Sequence, residues 1–426
     1  MMELSKYKCS GGLKSEGPFC LNLKLNRKNR ITISAFPHLR ILSGRGEDRP
    51  AARTREQSVH EEKWEVLCLD ANKINYLYED RSYLYRDERM EETSCSLDSV
   101  KKAVREYEGV TRKHGIGEMI KALRIDAPDV IASFGEDAAV IRHNDQALLL
   151  AADGIWSKLM EADPEWAGYC SVLVNIHDIA AMGGRPIALV DVLSLSDDKI
   201  RDHVTAGMLA ACQQFNVPIV GGHLHPDTPY SVIDVAILGI ARLDSVIYSH
   251  TAKSGDAVIA AIDLTGRVHP SCALNWDSVT MKTPAQVRSQ IQMLQTLGEA
   301  HLVTAGKDIS NPGVIGTLGM LLEMSEKGAV IELDAIPRPD LKALGIGFEQ
   351  WVRMYPGMGF VLTANRKHVV EVCQRFASVG MAARAIGHLN GDRNLCIEYG
   401  GEQASVFDLK KESVMGIVTN PCGLDL

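Results

Sequence analysis

Four short stretches place acids beside small residues, and they carry most of the chemistry this chain offers. Gly135-Glu136-Asp137-Ala138-Ala139-Val140 sets two carboxylates just before a strand, and Ala151-Ala152-Asp153-Gly154 sets one at the end of the next. Asp178 lies on a helix, and Asp308 sits in the polar loop Lys307-Asp308-Ile309-Ser310-Asn311-Pro312-Gly313. Mg2+ takes oxygen ligands in near-octahedral geometry and is usually held by one or two carboxylates plus substrate phosphates. Acids converging from adjacent elements meet that need, and small neighbours leave room for a nucleotide. Taken singly, an Asp-Gly at a strand end is ordinarily a turn; it is the set that points to a metal-bridged phosphate site.

Asp178 stands out among them. In Ser171–Pro186, the residues Val172, Ile176, Ile179 and Ala180 form an apolar helical face, and Gly183-Gly184 with Pro186 stops the helix. Ser171, Asn175 and Asp178, at i, i+4 and i+7, draw one polar stripe on a helix that otherwise wants burial. A buried carboxylate without a partner is costly. Either a cation, a metal or an amide cluster meets Asp178, or Asp178 caps a neighbouring loop. His177 falls off the stripe, on the Val174–Ala181 side, and reads as packing. In Gly221-Gly222-His223-Leu224-His225 the glycines allow close backbone approach to a ligand, with His223 as a donor; a hydrogen-bonded structural histidine is the alternative. H-x-H supplies only two metal ligands, which do not make a site. P-loop, dinucleotide and nucleophile-elbow motifs are absent.

The elements that must position these groups alternate between strand and helix. Ser96–Leu123 reads as helical, interrupted at Gly115 and Gly117, and Ile131–Asp153 as a hairpin turning at His143-Asn144-Asp145. The Asp178 helix spans about Pro164–Met182 and feeds a largely buried strand over Ile187–Leu193. A helix over Lys199–Phe215, a short strand entering a Gly-rich loop at Gly221-Gly222, and a strand over Ser231–Arg242 follow. Beyond about residue 250 the pattern repeats in kind, with strands at Ala257–Ile262, Val330–Leu333, Gly359–Thr363 and Ala383–Gly387. Its helices are expected at Pro284–Val303, Val314–Lys327 and His368–Val379. The expected fold class is therefore α/β of the α+β type, with two mixed-sheet domains. The boundaries are 90–248 and 249–400, with a tail over 401–426 that carries no clear signal.

Composition is that of an ordinary globular protein, with 46% hydrophobic and 23% charged residues. Residues 1–89 hold 17 Lys+Arg against 13 Asp+Glu, and the rest 29 against 41. An acidic body argues against nucleic acid as the main partner. No apolar run approaches the roughly 20 residues of a membrane span, and the ten scattered cysteines show no C-x-x-C pair, so a reduced cytoplasmic protein is expected. Residues 1–89 differ from the body. Asn26–Glu62 is rich in Arg, Ser, Gly and Pro and reads as poorly ordered, with short strands at Ile31–Ser34 and within Leu67–Tyr85. The favoured explanation is a natural start at Met90, the other an accessory tail.

In this order the blocks resemble a known superfamily. Gly135-Glu136-Asp137-Ala138-Ala139-Val140, Ala152-Asp153, Asn175-Ile176-His177-Asp178-Ile179-Ala180-Ala181-Met182-Gly183-Gly184-Arg185-Pro186 and Gly221-Gly222-His223 look like the aminoimidazole ribonucleotide synthase-related ATP-binding proteins. These include thiamine-monophosphate kinase, selenophosphate synthetase and the hydrogenase-maturation dehydratase. The run from Lys307 to Glu323 and Tyr355-Pro356-Gly357-Met358-Gly359-Phe360 resemble the methanogenesis marker protein 2 subgroup most. The resemblance implies a homodimer whose N-terminal-domain strands join into a barrel, with ATP and Mg2+ in a cleft near it. It implies metal-binding acids at Glu136 or Asp137, Asp153 and Asp178, and catalytic roles for Asp178 and Asp308. Gly135, Asn175, Gly221, Gly222, His223 and Asn311 would lie against the nucleotide or substrate. His223 and Asn311 replace acids of the kinase, which speaks against thiamine-phosphate kinase activity. Cys9-Ser10-Gly11-Gly12-Leu13-Lys14 only superficially matches the reactive loop of selenophosphate synthetase. The expected function is Mg2+-dependent phosphoryl transfer from ATP to an unidentified small-molecule acceptor, in methanogenesis-related cofactor or enzyme maturation. The alternative is a nucleotide-binding maturation or regulatory partner with little turnover.

Overall fold

The computed structural model describes residues 19–25, 30–37, 69–70, 96–123, 127–225 and 228–417. The chain forms two units, 1–91 and 92–426. In the first, β1 (Phe19–Leu25), β2 (Arg30–Pro37) and β3 (Leu69–Asp70) pair antiparallel. The strand expected at Ile31–Ser34 lies within β2. β3 lies within the Leu67–Tyr85 span where a short strand is expected, and the remainder of that span and most of Asn26–Glu62 fall outside the described residues.

The second unit begins with α1 (Leu97–Arg105), α2 (Glu108–Thr111) and α3 (Ile116–Leu123). Then come β4 (Val130–Ala132), β5 (Ala139–His143), β6 (Gln146–Gly154), α4 (Ser157–Ala162), α5 (Pro164–Ala181), β7 (Arg185–Ser194), α6 (Asp198–Phe215), β8 (Ile219–His225) and β9 (Val232–Arg242). These strands form one six-stranded sheet in the order β4-β5-β6-β9-β7-β8, antiparallel except for β7 and β8. The expected Asp178 helix is α5. Asp163 caps it by accepting from the Trp166 amide at 3.0 Å, and Pro164 opens its first turn. Its stop at Met182-Gly183 follows the Gly-Gly-x-Pro signal, with Gly183 at φ 71°. Gly168 and Gly207 let α5 and α6 touch backbone to backbone: a Cβ on Gly207 would stand 1.9 Å from the Glu165 carbonyl oxygen. That closeness sinks α5 under the sheet and buries nearly all of its sides.

The later half comprises β10 (Ala257–Ile262), β11 (Arg267–His269), β12 (Cys272–Asp277), α7 (Pro284–Glu299), β13 (Ala305–Asp308), α8 (Gly313–Ser325), β14 (Gly328–Glu332), α9 (Leu341–Leu344) and α10 (Phe348–Trp351). It ends with β15 (Gly359–Ala364), α11 (Val369–Ser378), β16 (Ala382–Asn390), β17 (Asn394–Tyr399) and β18 (Glu402–Asp408). Its seven-stranded sheet runs β13-β15-β10-β16-β14-β17-β18, with β14 and β17 parallel. The fold is thus α/β with two mixed sheets, as expected. One core cluster joins the halves, placing Leu149, Ile176 and Ile237 with Ile259, Phe360 and Leu362.

Three local readings change. Gly221 and Gly222 lie inside β8 and not in a loop, because parallel pairing with Val190 and Asp191 carries the strand through them. Gly222 leaves room for the Asp191 carboxylate, which a Cβ would overlap. The strand β7 is buried on one face only. Its Val190 (44%) and Val192 (43%) are exposed, beside Leu150 (47%) and Leu238 (37%) on the same open face. The tail contributes β18, whose alternation is irregular because a register shift interrupts its pairing with β17. No described helix is long and apolar enough to cross a membrane.

Candidate functional site

Asp137, Asp178 and Asp308 converge, each offering a carboxylate oxygen within 4.8 Å of the others. They come from three elements. Asp137 precedes β5, Asp178 stands on the last turns of α5, and Asp308 ends β13 in the later half. Each follows from its local sequence. Gly135 takes φ 96°, which brings the chain around so that Asp137 points inward. Asp178 is the end of the polar stripe that reaches the cleft. The β13 residues are all buried, so Lys307 and Asp308 stand on a core strand and not in the polar loop expected there, because pairing with β15 carries the strand through them.

The acids line a cleft of about 620 Å3 that also takes in Gly135, Glu136, Asp153, Lys113 and Lys307. Lys307 is the partner the sequence reading missed. Its ammonium pairs with Asp137 and also donates to the Gly135 carbonyl at 3.2 Å and to Ser249 Oγ at 3.4 Å. Burial alone would lower the Lys307 pKa, but the Asp137 and Glu136 charges outweigh it and hold it raised. Burial raises Asp137, Asp178 and Asp308 above the usual carboxylate range, while Asp153 stands exposed at the end of β6. For Asp178 the charges of Asp153, Asp308 and Asp137 add to that rise, and Lys307 opposes it. Four acids gather around one fully buried ammonium, and an all-oxygen donor set suits a hard divalent cation.

The other candidates are spread out. Both oxygens of Glu136 are engaged, Oε2 by the Ser249 amide at 2.6 Å and Oε1 by His250 Nδ1 at 2.5 Å. Of the two acids before β5, Asp137 therefore joins the cluster, and Glu136 ties the β4–β5 loop to the later half. Asn175 is fully buried one turn behind Asp178, donating to the Ser171 carbonyl at 2.8 Å. Gly221, Gly222 and His223 are not among the residues lining the cleft; the His223 and His225 rings meet edge to face at 4.5 Å on strand β8. Asn311 accepts from the Tyr107 hydroxyl at 2.9 Å. It lines a small adjoining pocket with Arg112, Lys113, Asp153, Ser310 and Tyr355.

His177 is core, as its helical position indicates. Its ring is fully buried, meets Phe360 edge-on, and has no hydrogen-bond partner at either nitrogen. Burial lowers its pKa to about 3. The unfolded chain therefore binds a proton at His177 that the native state refuses between pH 6.5 and about 3, so stability falls as pH drops through that window. His177→Leu should remove a contribution of about 1.4 kcal/mol per pH unit there. Urea unfolding of both proteins at pH 7 and pH 5 measures it; equal pH slopes would contradict the assignment.

Comparison with known proteins fits this architecture. The AIR synthase related protein N-terminal domain matches residues 135–241, and its C-terminal domain matches 246–399. The chain belongs to the AIR synthase related family. An uncharacterized protein of Methanocaldococcus jannaschii is 44% identical to it over 326 residues, covering 75% of this chain and 99% of its own. The phosphoribosylformylglycinamidine synthase subunit PurL of Saccharolobus islandicus is 27% identical over 304 residues, and the match spans 66% of this chain but 42% of PurL. Among solved structures, Thermotoga maritima PurL complexed with FGAR superposes with a TM-score of 0.61 at 17% identity, over 76% of this chain and 54% of that one. ThiL complexed with AMPPCP and TMP gives 0.52 at 16% identity, over 68% and 95%. At such identities the structures speak for the fold. In this AIR synthase related protein, Lys113, Ile116, Leu123, Met415 and Ile417 line the cleft from segments outside both matched domains.

Proposed function

We propose that this protein is a Mg2+-dependent, ATP-using enzyme that passes a phosphoryl group to a small-molecule acceptor. The observation that carries the reading is the convergence of Asp137, Asp178 and Asp308 from both halves into one cleft. These three would hold Mg2+, with Asp153 a further acid of the same cleft. When bound, Mg2+ would neutralise charge on the phosphates and polarise the group being transferred. Lys307 opposes the burial that disfavours the Asp137 carboxylate and aims it, and Lys113 places positive charge at the mouth. In the reaction the acceptor oxygen bonds to the terminal phosphorus as the bond to the bridging oxygen breaks and ADP leaves, so positioning and electrostatics supply most of the catalysis. Support comes from Thermotoga maritima PurL, solved with ATP, ADP and AMPPCP, and from ThiL, solved with AMPPCP and TMP.

The acceptor would enter the pocket beside the cleft, which shares Asp153, Lys113 and Ser310 with it. Arg112 and Lys113 there favour an acceptor that carries negative charge. A role in methanogenesis-related maturation accords with the methanogen relative. The nucleotide-binding half would be 90–248, supported by 249–400 and the tail. The test is calorimetric titration of ATP with and without MgCl2, followed by a metabolite screen for ADP release. Absence of binding under both conditions would refute the proposal. Tight Mg2+-dependent binding with no acceptor found favours a maturation partner with little turnover, a reading to which the engagement of Asn311 by Tyr107 also lends support.

A homodimer is part of the same proposal. Contiguous exposed apolar side chains on one sheet face usually mark an interaction surface, and Leu150, Val190, Val192 and Leu238 form such a face here. A second copy would cover it. Val192→Lys is expected to shift the sedimenting species from dimer to monomer while the chain stays folded; an unchanged dimer would place the interface elsewhere.

A further inference from the structure

Glu323 has no part in the cleft chemistry, yet it is one of the most heavily bonded side chains among the described residues. It sits on α8 at 5% exposure. Its Oε2 accepts from the Val414 and Met415 amides at 2.7 and 2.9 Å. Its Oε1 accepts from Ser413 Oγ at 2.6 Å and the Ile417 amide at 3.1 Å. One carboxylate thus satisfies three backbone donors and a hydroxyl of a turn that has no strand or helix to order it. Charge-assisted bonds of this kind are about twice as strong as neutral ones. Just upstream, Glu412 forms a two-pronged pair with Arg105 at 2.7 Å.

The turn is seated against the start of α3. The Gly117 amide donates to the Met415 carbonyl at 3.0 Å. Gly416, at φ 72°, brings its carbonyl so close that a Cβ on Gly117 would stand 1.7 Å from it. Only two glycines permit that contact. The residues this seat fixes face the cleft: Met415 and Ile417 on the turn, Ile116 at the start of α3, and Lys113 in the helical turn Arg112–Gly115 that leads into it. Lys113 makes no hydrogen bond among the described residues, so nothing else aims it, and its charge reaches Asp153 and Asp308.

We propose that Glu323 is a positioning residue for the nucleotide cleft: it holds the 413–417 turn, which seats α3 and so directs Lys113 toward the acids and the phosphates they bind. This rests on reading the cleft as the ATP site. Glu323 acts through the turn and touches neither nucleotide nor acids, so its effect must run through Lys113. The test is a double-mutant cycle on the full chain, titrating ATP in excess MgCl2. Glu323→Gln turns an acceptor oxygen into an NH2 that faces backbone N–H groups, and is expected to weaken ATP binding about tenfold. Lys113→Met is expected to do the same. The double variant should lose about tenfold in all, since a misaimed lysine has nothing further to give. Hydrogen exchange at Val414, Met415 and Ile417 should accelerate in Glu323→Gln. Gly117→Ala, which leaves the carboxylate intact but displaces the turn, should reproduce the loss and keeps the test open should Glu323→Gln not fold. A hundredfold loss in the double variant, or fast-exchanging 413–417 amides with unchanged ATP affinity, would overturn the inference alone. A wild-type protein that takes up no ATP would overturn the nucleotide reading, and this inference with it.

Discussion

Asp178→Asn is expected to abolish Mg2+-dependent ATP turnover, by on the order of 10²–10³-fold or more, while making the metal-free protein more stable. The two effects have opposite signs for one physical reason. Asp178 is held in a cluster where burial first, and then the charges of Asp153, Asp308 and Asp137, oppose its ionisation. The isosteric amide removes that repulsion and keeps the shape. Pre-organised charge at a site of phosphoryl transfer is usually worth several kcal/mol to the transition state, and a site built for it stores the repulsion when empty. A gain of about 1 kcal/mol in the metal-free protein would raise Tm by about 1–1.5 °C in a chain of this size. Calorimetric melting with EDTA and with MgCl2 reads both effects. The wild type should gain stability from Mg2+, and the variant should start higher and gain little. A variant that melts lower without metal and still responds to Mg2+ would remove Asp178 from the proposed ligand set.

Lys307→Met is the second large effect, and it falls on stability. The ammonium is buried against Asp137, the Gly135 carbonyl and Ser249. Removing one member of a buried pair leaves an uncompensated charge, at a cost of about 3–5 kcal/mol. Here the orphaned carboxylate would also face Asp178 and Asp308. Added MgCl2 should return much of the loss, since a ligand at 100 times its Kd contributes about 2.7 kcal/mol. Urea unfolding with and without MgCl2 measures both. Wild-type stability in the metal-free variant would mean that Asp137 sits protonated in the cluster and needs no lysine.

Asp178 and Lys307 differ in how far the sequence alone displays them. Asp178 was readable because a helix has a fixed period: a polar group on a face that is otherwise apolar must be met by something, wherever the rest of the chain goes. The alternating segments and their order were readable for the same reason, and α5, α6, β9 and β10 lie close to where the pattern puts them. Lys307 was in plain view beside Asp308, but its burial depends on β13 pairing with β15, a contact between residues far apart in sequence. Glycines misled in the other direction. Gly221-Gly222 carries a turn signal that the pairing of β8 with β7 overrides. Glu323 lies inside the helix expected over Val314–Lys327 with nothing local to mark it, because its partners lie about ninety residues further on. Local period is written in the chain; long-range partnership is not.

The acids of the cleft come from both sides of the junction near residue 245, and so does the core cluster around α5. Recombination that exchanged one half for that of a distant relative would have to match three things at the seam: the packing of α5, the Glu136–His250 link and the balance of charge around Lys307. Neither half carries all three of the converging acids, Asp137, Asp178 and Asp308. A change on one side of the seam therefore has to be matched on the other, and the pocket lined by Arg112, Ser310 and Tyr355 lies beside it.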